Sequence, residues 1–525
     1  FLSDANEVMQ ILLKAQQELG DFEDDDPQVS YMISAWARIC KLLGKEFQQF
    51  LPLVMPSVMK TASIKPEVAL VESEDAKSMD GEDDWQFVNI GDQQSFGIRT
   101  AGMEDKANAC QMLVCYAREL KEAFAEYVEP VAKLMVPMLK FYFHDGVRAA
   151  AAECLPYLLE SAKVKGPDYL SEIWTYICPE LLRAIEMDPD TETVAEHMLS
   201  LAKCIECLGS GCMTDVHMAD LYKILDKYLT EHFTKQHERH EKRKDEDYDE
   251  EVETELENED DEDVLVLSKV SDIVHALFYT HHDALLPWFD QLLPHFTKLV
   301  GDERPYRDRQ WGICIFDDVI EYCGGNSIKY QQFFLQPMLK ALESVEPELR
   351  QAAAYGFGIM AMNGGNVFAQ ACAEALPLLA KMIEAPESRE TEANTSATEN
   401  AISAVAKVLK WNGSMVDGAQ VVPHYLGWLP TWEDKEEAQY IYGYLCDLIE
   451  MNHPQVVGEG LPRVVSVMAQ AFQKDALEEC PEVQTRMVAL LRQLQSNEEL
   501  FSVCISQLSP DQVTCLHNIM SAPSS

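Results

Sequence analysis

The stretch Leu134-Met135-Val136-Pro137-Met138-Leu139-Lys140-Phe141-Tyr142-Phe143-His144-Asp145-Gly146-Val147-Arg148-Ala149-Ala150-Ala151-Ala152-Glu153-Cys154-Leu155-Pro156-Tyr157-Leu158 decides the fold. Leu134, Met138 and Phe141 make an apolar stripe at helical spacing, and Pro137 falls inside it. A proline there removes a backbone donor and crowds the preceding turn, so a kinked helix is expected. His144-Asp145-Gly146 reads as a short turn. Val147, Ala151, Cys154 and Leu158 then recur on one face of a second helix. The small residues Ala149 to Ala152 let a neighbouring helix approach closely. The unit is a helix pair, A followed by B.

Outward from this unit the pattern returns. Pro137→Pro179, Pro294→Pro337, Pro337→Pro377, Pro377→Pro423 and Pro423→Pro462 are steps of 42, 43, 40, 46 and 39 residues. A purely helical period of about 40–47 residues marks HEAT or armadillo arrays. The expected fold is therefore all-α, a HEAT-repeat solenoid wound as a right-handed superhelix of about ten helix pairs. The pairs start near residues 3, 50, 128, 166, 214, 285, 328, 368, 420 and 456, and a closing helix falls near 510–520. Glu348-Leu349-Arg350 and Asp308-Arg309-Gln310-Trp311 open B helices as Asp145-Gly146-Val147-Arg148 does. The acid is expected to cap the B helix and the arginine to reach a neighbouring repeat.

Two insertions break the period, each between an A and a B helix. In the first, at about 63–101, two β-like runs flank Gly91-Asp92-Gln93-Gln94, which predicts a small hairpin. The second covers 237–263. From Asp245 to Asp263, 14 of 19 residues are Asp or Glu, a density that predicts a disordered or loosely helical segment. Its deletion is expected to leave the thermal transition nearly unchanged. The division is then 1–236, with the first insertion, 237–263, and 264–525 with its closing cap.

Composition narrows the function. The formal net charge is −47, which repels nucleic acid and anionic membrane and attracts basic partners. No apolar run is long enough to span a bilayer. The opening Phe1-Leu2-Ser3-Asp4 carries neither Met nor a signal pattern, so the chain reads as a piece whose N-terminal part is missing. The 15 cysteines lie in helical stripes and read as free buried thiols of a reducing compartment. Cys204-Ile-Glu-Cys207 lies mid-helix without a second pair. There is no GxSxG, P-loop, HExxH or EF-hand pattern, and His237, His240, His281 and His282 lack companion ligands. No enzyme, metal site or cofactor is expected.

Candidate partner-binding residues follow from the charge. In the insertion they are Asp245, Glu246, Asp247, Asp249, Glu250, Asp260 and Asp261. On B helices, which line the inner face of HEAT arrays, they are Asp317, Asp318, Glu321, Glu436 and Glu437. The alternatives are a solvated loop and an ordinary polar helix face. Trp311 and Trp428 read as core residues or as aromatic anchors.

Three long strings resemble the karyopherin-β nuclear import receptors. They are Trp85-Gln86-Phe87-Val88-Asn89-Ile90-Gly91-Asp92-Gln93-Gln94-Ser95-Phe96-Gly97-Ile98, Asp245-Glu246-Asp247-Tyr248-Asp249-Glu250, and Asp308-Arg309-Gln310-Trp311-Gly312-Ile313-Cys314-Ile315-Phe316-Asp317-Asp318-Val319-Ile320-Glu321. Phe1 to Met9 and Lys435-Glu436-Glu437-Ala438 fit too. The likeness covers about the C-terminal half of such a receptor. It implies a monomeric carrier that shuttles between cytoplasm and nucleus. Its implied partners are basic cargo such as ribosomal proteins and histones, Phe-Gly nucleoporins, and Ran-GTP, whose main site would lie upstream. No direct nucleic-acid or membrane contact is implied. A static HEAT scaffold and a chaperone for basic proteins are the rivals; Ran-GTP sensitivity separates the first, Phe-Gly binding the second.

Overall fold

The computed structural model describes residues 2–19, 27–72, 85–90, 94–99, 102–245 and 248–521. The chain divides into two compact units, Phe1–His281 and His282–Ser525. Among the described residues each unit holds five stacked helix pairs. In the first they are α1 (Leu2–Leu19) with α2 (Pro27–Leu43), α3 (Leu51–Ala62) with α4 (Met103–Leu120), α5 (Val128–Met138) with α6 (Asp145–Ala162), α7 (Pro167–Met187) with α8 (Thr191–Leu208), and α9 (Asp215–Lys242) with α10 (Glu250–His281).

The second unit pairs α11 (Leu286–Leu299) with α12 (Tyr306–Cys323), α13 (Gln331–Ala341) with α14 (Pro347–Asn363), α15 (Ala369–Ile383) with α16 (Glu392–Trp411), and α17 (Gly418–Trp428) with α18 (Lys435–Glu450). The single turn α19 (Pro454–Val457) leads into α20 (Leu461–Gln473) and α21 (Pro481–Gln495), and α22 (Glu498–Ile505) and α23 (Pro510–Ser521) close the end. The ten pairs and the closing helix stand where the proline period puts them; α22 is an addition.

The prolines explain the rhythm, with one correction and one addition. Pro137, Pro179, Pro294, Pro337, Pro377 and Pro423 lie inside their A helices. Pro462 instead sits in the first turn of α20, where a missing backbone donor costs nothing. In α3 it is Pro56 that lies inside, while Pro52 opens the helix. Several B helices, and the α10 segment, end on left-handed backbone, at Gly44 (φ 52°), Lys121 (φ 47°), His282 (φ 48°) and Gly324 (φ 52°), and short 3-10 turns carry the chain into the next A helix.

Within each unit the B helices pack side by side more closely than the A helices do. Small residues permit this. Ala150, Ala151 and Ala152 of α6 are buried, and a Cβ at Gly358 of α14 would lie 3.4 Å from the Ala404 Cα of α16. Within each unit, ion pairs and hydrogen bonds then tie successive repeats together. Arg148 reaches Asp188 at 2.8 Å, Lys340 reaches Asp302 at 2.5 Å and Lys381 reaches Glu343 at 2.7 Å; Lys140–Glu180 and Arg350–Asn394 are further links. The expected reach of the B-helix arginines is thus seen at Arg148 and Arg350.

The capping role given to the neighbouring acids is not. Asp308 is fully buried and bound to Arg304 at 2.7 Å, and α12 starts from Pro305 without a side-chain cap. Asp190, Asp249, Thr391 and Asp434 cap their B helices, each accepting from a backbone N–H of the first turn.

The first insertion carries a three-stranded antiparallel sheet of order β1-β3-β2, with β1 Glu67–Glu72, β2 Trp85–Ile90 and β3 Gln94–Arg99. The predicted hairpin is β2 and β3, with Ile90 opposite Gln94. Strand β1 was not read from the sequence. All fifteen cysteines are unpaired thiols, most of them buried.

The described residues of the acidic insertion are mostly helical, so of the two expected states the structure takes the helical one and corrects the disordered one. Residues 237–242 complete α9 and residues 250–263 form the first turns of α10. Positive charge on α9 makes this possible. Arg239, only 2% exposed, lies 2.7 Å from Asp260 and 2.6 Å from Asp263. Arg243 binds Glu253 and Asp260 at 2.9 and 3.0 Å, and Lys235 binds Asp263 at 2.9 Å. Leu256 is buried among them. Counting acids alone missed that the basic partners lie 10 to 28 residues upstream.

Candidate partner-binding surface

The sequence-derived acids fall into two groups, one in each unit. On the α9–α10 hairpin, Asp245, Asp249, Glu250 and Asp261 are exposed, whereas Asp260 is half-buried and bound to Arg239 and Arg243. Glu246 and Asp247 lie outside the described residues. The exposed side of the hairpin carries Glu251, Glu255, Glu257 and Glu262 as well.

In the second unit the acids sit on two B helices, α12 and α18, with α14 and α16 between them. Asp317 and Asp318 are buried, Glu321 is half-buried and Glu436 is exposed. Glu437 is buried and takes the Lys407 ammonium at 2.7 Å and the Ser403 hydroxyl. The row continues as a polar chain. The Tyr355 hydroxyl donates to Glu321 at 2.9 Å, and the Lys407 Nζ stands 5.3 Å from the Tyr355 ring and 4.0 Å from the Tyr440 ring. Lys407 is only 1% exposed, so this ammonium has exchanged water for one carboxylate and two aromatic faces. Further along, Asp447 is shared by Lys410 at 2.8 Å and Arg486 at 2.5 Å, and Glu450 binds Arg486 at 2.6 Å. These last two acids tie repeats together.

Burial tunes the group. Burial first, then the charges of Asp318 and Glu321, push the Asp317 carboxyl well above the usual range. Glu399 is fully buried on α16 and accepts three backbone N–H bonds, from Trp432 at 2.9 Å, Glu433 at 2.8 Å and Asp434 at 2.9 Å. It thereby anchors the loop that enters α18. Burial still raises its pKa despite those donors. Asp434, capping α18, is raised to about 6 by burial, with the nearby Glu437 and Glu399 acting in the same direction.

That last shift gives a prediction. The folded protein holds the Asp434 proton more tightly than the unfolded chain does. Its ionisation therefore destabilises the fold as pH rises from about 4 to about 6, and the cost persists above that. Asp434→Asn keeps the cap. It also offers a donor to the Asn400 side-chain oxygen, which has no partner. The variant is expected to be more stable at pH 7 by about 1 kcal/mol, after allowance for solvent screening, and to match the wild type near pH 4. Urea denaturation across pH 4–7 checks it; an equal difference at both ends refutes the assignment.

Trp311 and Trp428, read as core or anchor, are both half-buried, and the Trp428 indole N–H donates to Glu384 at 3.2 Å. Trp432 was not singled out, yet its ring has Arg389 at 5.6 Å and Lys474 at 5.4 Å. Among the described residues no helix is long and apolar enough to cross a membrane. No group of three or more His, Cys, Asp or Glu among them is placed to hold a metal ion.

The stacked A/B pairs agree with the fold of the relatives of this chain. Residues 193–302 match the family model described as Importin repeat 6, and residues 434–480 match one described as Importin repeat. Importin subunit beta-3 of Saccharomyces cerevisiae is 30% identical over 485 residues, covering 91% of this chain and 44% of the relative. The crystal structure of Kap121p bound to RanGTP superposes with a TM-score of 0.79 at 26% identity, over 99% of this chain and 46% of that one. The chain belongs to the karyopherin-β family. A second Kap121p structure, bound to Nup53p, matches with a TM-score of 0.78 at 25% identity, over 99% of this karyopherin-β chain and 46% of that one. The chain thus spans about half the length of the relatives it matches.

Proposed function

We propose that this chain is part of a nuclear import receptor. In this reading it helps bind basic segments of cargo such as ribosomal proteins and histones, passes the nuclear pore by contacts with Phe-Gly nucleoporins, and gives up its cargo to Ran-GTP. It shuttles between cytoplasm and nucleus and carries out no chemistry of its own. One observation carries the reading: the likeness to Kap121p, known bound to RanGTP and to Nup53p, runs along almost the whole chain. The acid surplus supports it, because a long-range negative field speeds the encounter with basic partners and weakens with salt. Cargo and Ran-GTP then oppose one another through a coupling that is reciprocal by thermodynamic necessity.

The test is capture of an immobilised basic ribosomal protein by the longer receptor and by this chain, with and without Ran-GTP. The expected result is capture by both, with Ran-GTP releasing the longer receptor. Capture that Ran-GTP never disturbs, even with the longer receptor, would replace this reading by a scaffold or chaperone.

A further inference from the structure

We infer that the cluster of Asp317, Glu321, Tyr355 and Tyr440 on the B helices of the second unit is a subsite for a single lysine or arginine side chain of a basic polypeptide. The inference rests on the reading above that the partner is basic, and it names where one cation is held.

The first ground is an unsatisfied acid. Asp317 is 3% exposed, and its Oδ1 has no hydrogen-bond partner. A buried carboxyl without a partner is costly, and native structures rarely keep one without a purpose. It is not there by default of packing. Asp317 lies against Gly356 of α14, where any Cβ would overlap its carboxylate and stand 2.7 Å from the Met338 Cε. The missing side chain at 356 makes the room that the acid occupies.

The second ground is charge. Asp317 and Glu321 are four residues apart and so lie on one face of α12. Glu321 is half-buried, with one oxygen taken by the Tyr355 hydroxyl at 2.9 Å. Among the described residues the ammonium bound across Asp317, Glu321 and Glu437 is that of Lys407, bonded to Glu437 at 2.7 Å. The α12 side of the cluster therefore has acid to spare. Burial and the neighbouring acids hold the Asp317 carboxyl well above its ordinary range, and an arriving cation works in the opposite direction.

The third ground is a demonstration within the chain. The two tyrosines already flank one ammonium, with the Lys407 Nζ 4.0 Å from one ring and 5.3 Å from the other. Both tyrosines are half-buried on α14 and α18, while α16 between them is buried from Ala397 to Leu409. An incoming lysine or arginine stem lies along the outer side of the Tyr355 ring and brings its charge to Glu321 and Asp317.

The experiment measures fluorescence anisotropy of a fluorescein-labelled decalysine peptide with the full chain at low salt, and then with Asp317→Asn/Glu321→Gln and with Glu255→Gln/Glu262→Gln on the exposed side of the hairpin. Removing the two α12 charges is expected to weaken binding about tenfold and removing the two hairpin charges less than about twofold. If the double α12 variant does not fold, Glu321→Gln alone decides, with about a threefold loss expected, because glutamine still accepts from Tyr355. Decalysine binding that weakens only with the hairpin variant overturns the subsite and leaves the basic partner standing. No decalysine binding to any form overturns both.

Discussion

Arg239→Met is expected to lower the stability of the first unit by about 3–5 kcal/mol and to melt the outer turns of α9 and α10. The guanidinium is 2% exposed and answers Asp260 and Asp263, and Asp263 is itself buried. Methionine fills the volume but leaves Asp263 with Lys235 alone, at 2.9 Å and half-exposed. Breaking one side of a buried pair costs far more than the pair contributes, because the remaining charge is stranded in a medium that solvates it poorly. The loss should show as a lower thermal transition, with fast hydrogen exchange at amides 253–263. Exchange there that is already unprotected in the wild type would remove the basis for the prediction. The same geometry reverses the expectation from composition for deletion of 245–263. That deletion takes away Asp260 and Asp263 and is now expected to lower the transition as well.

Arg148→Ala is expected to be comparably damaging, by about 3–5 kcal/mol, in the middle of the same unit. The Arg148 fork donates to Asp188 at 2.8 and 3.3 Å, to the Phe141 carbonyl at 3.3 Å and toward Thr193 at 3.5 Å. Both partners of the ion pair are almost fully buried. One side chain therefore joins the turn after its own A helix to the turn between α7 and α8 of the next repeat. Arg148→Lys keeps the charge but loses the planar fork, so it should recover less than half of the loss. Because each repeat contacts mainly its neighbours, exchange should quicken in α5 to α8 while α2 stays protected. The exposed Lys133–Glu129 pair is the control, and Lys133→Ala should change nothing measurable. Uniform loss of protection through the unit would contradict the nearest-neighbour picture.

These two arginines show what a reading of the sequence reaches. The helix pairs were legible because their signal is local: a proline in an apolar stripe, a short turn, then a small-residue helix. Pro56 and Pro462 escaped because an apolar helix tolerates proline both in its first turn and inside, and spacing alone does not separate the two. Arg148 was legible as a residue that reaches outward, but Asp188 as its target was not, since the partner stands 40 residues away. The B-helix acids were found by type and helix position. Their burial was not, because it depends on how closely α12, α14 and α16 approach, and that is set by Gly356 and Gly358 against residues on other helices. Lys407 went unremarked for the same reason. Nothing near it in sequence announces that Tyr355 and Tyr440, on two other helices, stand over its ammonium.

The ties between successive repeats also set how the stack answers its surroundings. Some are wholly shielded, such as Arg148–Asp188, and others lie open to water, such as Lys340–Asp302 and Lys381–Glu343. Dissolved ions weaken only the open ones. Within a unit, the strength of such a tie is thus set in part by sequence and in part by the ionic strength around it. A salt step loosens the Lys340 and Lys381 ties of the second unit and leaves the Arg148 tie of the first as strong as before.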